Sequence, residues 1–514
     1  MLEEMIAGLH FGNFYLNKAK PDDTALIYRD FTQTFYEMDT TIRQYCAHFT
    51  AAGLKKGDIV ALSCYNTPEY IYSYMAITQI GAIVVPLNLM LTMEEISFIL
   101  KDSGAQALIV HEKILARLKT DSARIQTSLG LSHVFVLQNE LAEAVSKQKP
   151  AKPIDLNPDD ICTLLYTSGT TGKPKGVMLS HTNLMANTVS CSITLNLIGE
   201  TNIFMCVLPM FHTFGFTTSV LLPLYTGSPI VIHDAFQPKE VMASLVKHRV
   251  SVFCGVPAMY VVLAQALRDG KVEFPDLRLA VSGGAPMPVE ILNLFNKQYE
   301  IPLVEGYGLT EAAPVVSLNP LVGEKKPGSI GKPLYGVEVK IGTPGELALP
   351  SGEVGELLIK GLNVMKGYLG LPEETAEALK GGWLHTGDMA YRDEEGYLFI
   401  VDRKKDMIIT RGLNVYPREI EELLYVHPDI LEAAVVGIPD PLKGEIVKAF
   451  VVPKEGAELD RRTVLDYLKP KLASYKMPRL VEFIAELPKS ATGKILKKEL
   501  RAVSADDMEK DKED

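Results

Sequence analysis

Residues 166–176 read YTSGTTGKPKG. The string holds the hydroxyls of Thr167, Ser168, Thr170 and Thr171, the glycines Gly169, Gly172 and Gly176, and the lysines Lys173 and Lys175. An apolar run, 161–165, precedes it after the turn residues 157–160. Another apolar run, 177–179, follows, and then Ser180, Thr182 and Asn183, a helix-start signal. The spacing predicts a Gly/Ser/Thr/Lys loop between two short buried strands. Glycines permit close backbone approach, hydroxyls and amides donate hydrogen bonds, and lysines add positive charge, a combination suited to a polyphosphate. A Walker A loop is excluded, because Gly169 and Gly172 stand too close together and Pro174 follows Lys173. By composition alone, a polar surface loop has the same ingredients.

Outward from this stretch, helical and strand patterns alternate. Apolar spacing predicts helices over 35–52, 68–81 and 93–102, and strands over 58–64, 82–87, 107–111 and 133–137. Alternation at this spacing argues for a layered α/β fold with mostly parallel sheets. Short strands broken by glycines, at 337–341, 355–359 and 397–401, predict a β-rich subdomain. A last α+β unit is predicted from strands at 406–410, 433–438, 449–452 and 480–484, with helices from Pro417 to Tyr425 and near 464–468 and a loop at 411–416. The charge-rich end, 504–514, predicts a disordered tail.

The totals narrow the class. A chain of 514 residues exceeds a single core and predicts more than one domain. Its net charge of −11 argues against a nucleic-acid binder, which needs a basic excess. None of the six cysteines forms a CxxC pair or stands near a His pair at ligand spacing, so they read as buried thiols in a reducing compartment. The N-terminal residues lack the pattern of a signal peptide, and the most apolar run, 75–91, is interrupted by Thr78, Gln79, Pro86 and Asn88. A cytoplasmic protein is expected, with peripheral membrane contact left open for a lipid substrate.

Six further stretches carry polar groups suited to chemistry. VLPMFHTFG at 207–215 predicts a strand running into an aromatic loop around His212, which on this stretch alone is equally an ordinary packed histidine. LAVSGGAP at 279–286 predicts a strand and a small-residue turn, Gly283, Gly284 and Ala285, where a flat ring could approach the backbone. GYGLTE at 306–311 is not a dinucleotide fingerprint, since Glu311 takes the place of the third glycine. WLHTGD at 383–388 and DRKK at 402–405 place an acid, Asp388, ahead of a basic cluster. PKSATGKIL at 488–496 places Lys494 in a Ser/Thr/Gly loop; by type alone such a lysine is exposed and inert.

Taken together, these strings resemble those of the adenylate-forming superfamily, which includes acyl-CoA synthetases, peptide-synthetase adenylation domains and luciferases. The resemblance runs over nearly the whole chain, and 312–320 with 327–333 is most similar to fatty acyl-CoA synthetases (long-chain fatty-acid–CoA ligases). It implies that Thr167, Ser168, Gly169, Thr170, Thr171, Gly172 and Lys175 hold phosphates, and that Gly283, Gly284, Ala285, Glu305, Gly306, Tyr307, Gly308 and Thr310 contact the nucleotide, with Tyr307 stacked on adenine. It implies Mg2+ on Thr170 and Glu311, ribose contacts from Asp388, ribose or phosphate contacts from Arg403, orientation of the acid or gating of ATP entry by His212, and Lys494 as the catalytic lysine. The implied domains are 1–402, binding ATP and acid; 403–405, a hinge; 406–503, a mobile catalytic lid; and 504–514, the tail.

The implied reaction has two halves. A carboxylate attacks the α-phosphate of ATP to give acyl-AMP and pyrophosphate; after the lid turns, CoA passes Gly412 and its thiol attacks the anhydride. Fatty acid, ATP and CoA are the implied partners, and a homodimer is left open. Rival readings are a ligase for an aryl or medium-chain acid, a ligase loading an acyl carrier protein, and a non-catalytic lipid or nucleotide sensor. The last is disfavoured because Thr170, Glu311, Asp388, Arg403 and Lys494 are all present.

Overall fold

Local signals place the helices that frame the site. Thr34 and Glu37 form a reciprocal capping box at the start of helix Phe35–Ala51, and Thr92 and Glu95 do so for Met93–Ser103, which Gly104 ends at φ 69°. Ser180 and Asn183 form a third box, at the start of helix His181–Thr194. Pro68 occupies the first turn of Pro68–Gln79. In His181–Thr194 residues 183–192 are all buried, and in Pro68–Gln79 residues 70–78 are, so both helices are enclosed on every face. The computed structural model describes the chain except residues 17, 138, 169–173, 200, 343–347, 411–412, 441–443, 490–494 and 503–514.

The chain divides into two compact units, Met1–Val339 with Leu358–His385, and Lys340–Leu357 with Thr386–Asp514. The hinge expected at 403–405 lies within the second. The first unit holds two large sheets with parallel interiors, as the alternation predicts. A nine-stranded sheet runs Thr24–Tyr28, Ile230–Ile232, Phe204–Cys206, Val252–Gly255, Leu279–Ser282 and Leu303–Gly308 side by side in parallel. Antiparallel Val315–Leu318 and then Lys332–Pro333 extend one edge, and Phe31–Thr34 the other. Tyr260, Leu263, Leu267 and Phe295 pack with Phe253 and Leu303 in its core.

The seven-stranded sheet has five parallel strands, Ile161–Ser168, Ile83–Pro86, Ile59–Ser63, Ala107–His111 and His133–Leu137, in that order. The glycine-rich string enters here as the end of an antiparallel hairpin. Ile161–Ser168 pairs with Pro174–Ser180, with Thr167 opposite Lys175 and Ser168 opposite Pro174. The two-residue strand Gly367–Tyr368 closes that edge.

The second unit has a four-stranded sheet, Glu338–Gly342, Gly355–Lys360, Leu384–Arg392 and Leu398–Arg403, whose first three strands begin or end in the first unit. It also has a five-stranded sheet of Leu413–Val415, Ile408–Thr410, Gly444–Pro453, Ile430–Asp440 and Leu480–Phe483. Helices Pro417–Tyr425 and Arg461–Leu468 bury Ile420, Leu424, Val464 and Leu468 in its core.

Three expectations are corrected. The strand expected to begin at Val207 ends at Cys206, because Leu208 and Met210 instead offer their backbone to the amide of the buried Asn66. The loop expected at 411–416 contains the strand Leu413–Val415, paired with Ile408–Thr410. The strands expected at 433–438 and 449–452 are the middles of a longer hairpin, Ile430–Asp440 with Gly444–Pro453. The predicted tail, 504–514, lies outside the described residues.

Candidate active site

Within the first unit the predicted segments meet in a chain of contacts. Lys175 Nζ stands 5.2 Å from the centroid of the Tyr368 ring, and the Tyr368 hydroxyl donates to Glu311 Oε1 at 3.1 Å. Next to Glu311, the hydroxyls of Thr310 and Thr213 are 3.4 Å apart. The following residue, Phe214, lies under the turn at 283–285: a Cβ on Gly283 would stand 3.1 Å from its ring. That turn is tied to the next strand by the buried Glu305, which accepts from Met287 N at 3.2 Å. Segments near 175, 213, 283, 305–311 and 368 therefore converge at the carboxyl ends of parallel strands, where open α/β sheets bind ligands.

The shape of this region depends on glycines that backbone packing demands. A Cβ on Gly308 would lie 2.4 Å from Pro314 O, and one on Gly306 2.4 Å from Leu318 Cδ2. The turn from strand Leu303–Gly308 through Thr310–Ala312 into Val315–Leu318 is possible because those side chains are missing. Two buried asparagines hold the turn. Asn187 Nδ2 donates to Val315 O at 2.6 Å and to Ala312 O at 3.4 Å, while its Oδ1 accepts from Val315 N at 3.1 Å. Asn363 Nδ2 donates to Ala312 O at 2.9 Å. Burial leaves backbone polar groups no water to turn to, so these amides complete their pairing.

His212 is exposed at the start of the short helix Thr213–Phe216, where its Nδ1 accepts from Phe214 N at 3.2 Å. That bond directs the ring toward its own helix start. Tyr307 lies opposite Ser317 in the antiparallel pair. Gly284 and Ala285 are exposed beside the buried Gly283, and Gly284 takes φ 86°, which suits glycine.

In the second unit, Asp388 and Arg403 lie opposite each other on neighbouring antiparallel strands, with Arg403 Nε 3.4 Å from Asp388 Oδ1. The Asp388 side chain is 7% exposed and that of Arg403 41%, so the acid sits at the base of a partly open pair. Thr386 Oγ1 accepts from Asp388 N at 3.0 Å and donates to Leu357 O at 2.8 Å. Burial lowers the Lys405 ammonium below its usual range. Gly169, Thr170, Thr171, Gly172, Lys173, Gly412, Lys494 and the side chain of Ser168 lie outside the described residues.

The residues suit a divalent cation bridging phosphates. Glu311 is half-buried, and among the described residues no lysine or arginine pairs with it. Those residues also contain no cluster of three or more His, Cys, Asp or Glu that would cage a metal by itself. One carboxylate with nearby hydroxyls would suit a hard cation such as Mg2+, which prefers oxygen ligands. No helix among the described residues is long and apolar enough to cross a membrane.

Sequence reading missed Tyr368, Asn187 and Asn363. Each acts on the site from a distant part of the chain, and none belongs to a string whose composition suggests chemistry.

Comparison with known proteins agrees with this geometry. Residues 16–369 match the AMP-binding enzyme family, and residues 419–494 match the AMP-binding enzyme C-terminal domain. Feruloyl-CoA synthase of an Amycolatopsis species is 38% identical over 95% of this chain and 98% of its own. A long-chain-fatty-acid–CoA ligase of Bacillus subtilis is 38% identical over 93% of this chain and 91% of its own. The crystal structure of ATP-bound MatB from Rhodopseudomonas palustris superposes with a TM-score of 0.89 at 31% identity, covering 96% of this chain and 98% of that one. With the family matched across most of its length and relatives alike nearly end to end, the chain belongs to the AMP-binding enzymes, the adenylate-forming superfamily.

Proposed function

We propose that the protein is an AMP-forming fatty acid–CoA ligase. The observation that carries the adenylation half is the contact chain from Lys175 through Tyr368 to Glu311 and Thr310. It gathers a cation, a carboxylate and hydroxyls where polyphosphate charge must be held. The attacking carboxylate and the phosphates are all anionic, so positioning and charge stabilisation are the main catalytic tasks.

The acid's oxygen attacks the α-phosphorus of ATP, the bond to the bridging oxygen breaks, and pyrophosphate leaves. Lys175 and the 166–176 loop hold the departing phosphates. Glu311 and Thr170 would hold Mg2+, which would supply positive charge to neutralise phosphate oxygens. Asp388 accepts from the ribose hydroxyls, and Arg403 lies against the same nucleotide. Lys494 supplies a point charge to the carboxylate and α-phosphate. In the second half the CoA thiol attacks the acyl carbonyl and AMP leaves, with Gly412 making room for the pantetheine arm and 403–405 serving as the joint between the two states.

An apolar tail on the acid is supported by the likeness to the long-chain-fatty-acid–CoA ligase. The second reading, an aryl acid, is favoured by the feruloyl-CoA synthase, which is as similar as the long-chain ligase.

The test is acid-dependent AMP release with ATP, Mg2+ and acids from acetate to oleate, plus benzoate and ferulate, with and without CoA. CoA-dependent release that peaks at one fatty chain length is the expected result. A maximum with ferulate or benzoate establishes the aryl reading instead. Pyrophosphate exchange without CoA-dependent turnover points to a carrier protein as acceptor.

A further inference from the structure

We infer that Tyr368 is a positioning residue: its hydroxyl sets the direction of the Glu311 carboxylate relative to the glycine-rich hairpin. The inference rests on the proposed role of Glu311 in holding Mg2+ with ATP.

The backbone around Tyr368 joins the two parts of the site. Met365 N donates to Glu311 O at 2.8 Å. One residue on, Lys366 N donates to Met178 O at 2.9 Å, and Leu369 N donates to Gly176 O at 2.8 Å. Five consecutive residues thus grip the Glu311 backbone at one end and the base of the hairpin at the other. From the middle of this bridge the Tyr368 side chain returns to Glu311 Oε1.

Tyr368 is itself clamped. Its N–H donates to Thr375 Oγ1 at 2.9 Å, and the Thr375 hydroxyl donates to Leu371 O at 2.7 Å. Its neighbour Gly367 has φ 138°, and a Cβ there would stand 2.5 Å from Thr375 Cγ2, so helix Pro372–Ala378 seats directly against the strand. The backbone that carries the phenol is held this way, so the hydroxyl reaches the Glu311 carboxylate from a fixed root. A metal-binding carboxylate oriented by a neighbouring donor holds its ion better than one left to rotate. The ring has a second use, since its face receives the Lys175 ammonium at 5.2 Å. Tyr368→Phe removes the hydroxyl and keeps the ring, so the two roles separate.

The experiment measures Mn2+ binding by electron paramagnetic resonance, using the full chain with a non-hydrolysable ATP analogue and no acid, so nothing turns over. Wild type, Tyr368→Phe, Tyr368→Leu and Glu311→Gln are compared, with a thermal melt of each. The expected result is about tenfold weaker Mn2+ binding in Tyr368→Phe, the scale of one hydrogen bond to a charged group, with a melt close to wild type. Tyr368→Leu, which also loses the ring under Lys175, is expected to bind the ATP analogue more weakly still. Wild-type Mn2+ affinity in Tyr368→Phe, beside a weakened Glu311→Gln, overturns the inference even if the melt shifts. Wild-type affinity in Glu311→Gln overturns the metal role of Glu311 and this inference with it.

Discussion

Asn187 offers a direct test of whether the frame around Thr310 and Glu311 governs the chemistry. It is fully buried, and its amide makes three hydrogen bonds to the backbone of Ala312 and Val315, at 2.6, 3.1 and 3.4 Å. Asn187→Leu keeps the volume and leaves those backbone groups facing a side chain that cannot pair. The two shorter bonds, at about 1–1.5 kcal/mol each, with an added penalty for buried groups left unpaired, give an expected loss of about 3 kcal/mol. In a two-unit chain the unfolding of the first unit is the relevant transition, followed by urea titration and near-ultraviolet circular dichroism. The second readout is acid-dependent pyrophosphate exchange, measured well below the variant's unfolding midpoint. Because Thr310 and Glu311 lie on the turn these bonds hold, exchange is expected to fall at least tenfold while the protein remains folded. A stability loss under about 1 kcal/mol would refute the hydrogen-bond accounting. A full loss of stability with wild-type exchange would refute the claim that the turn positions the reaction.

Three other outcomes are expected. His181 is buried at the first turn of the helix that carries Asn187, and desolvation pushes its imidazole down to about 3. The native state therefore favours neutral His181: its contribution is complete above about pH 6.5 and is lost as the pH falls toward 3, about 5 kcal/mol in all. Urea titrations from pH 7.5 to 4.5 should show a shallower acid loss in His181→Gln, and parallel curves would contradict this. Gly308→Ala, facing a backbone carbonyl, should destabilise by about 1–3 kcal/mol and abolish pyrophosphate exchange, whereas Gly283→Ala meets only the movable Phe214 ring and should keep the fold; similar melting losses in both would count against the packing argument. Lys494→Ala should abolish acyl-AMP formation and spare thioester formation from supplied acyl-AMP, as measured by rapid quench of each half-reaction; equal losses would remove the two-state account of 403–405.

The sequence by itself determined most of the elements and the family. Capping pairs such as Thr34 with Glu37 and Ser180 with Asn183 lie three residues apart, so local spacing was enough to place their helices. The string at 166–176 suggested phosphate chemistry by its residue types, whereas the role of 306–311 came with the family resemblance. Strand ends were less legible: the run from Val207 looks extended, yet pairing stops at Cys206, where a distant asparagine takes over the backbone. Only the tertiary structure decided which groups support the reacting ones. Asn187 reaches Val315 across 128 residues and Tyr368 reaches Glu311 across 57, and neither partner marks the other in sequence. A buried amide or phenol has no periodicity to reveal it; its role is set by which backbone and carboxylate groups folding brings within hydrogen-bonding reach, out of contact with water.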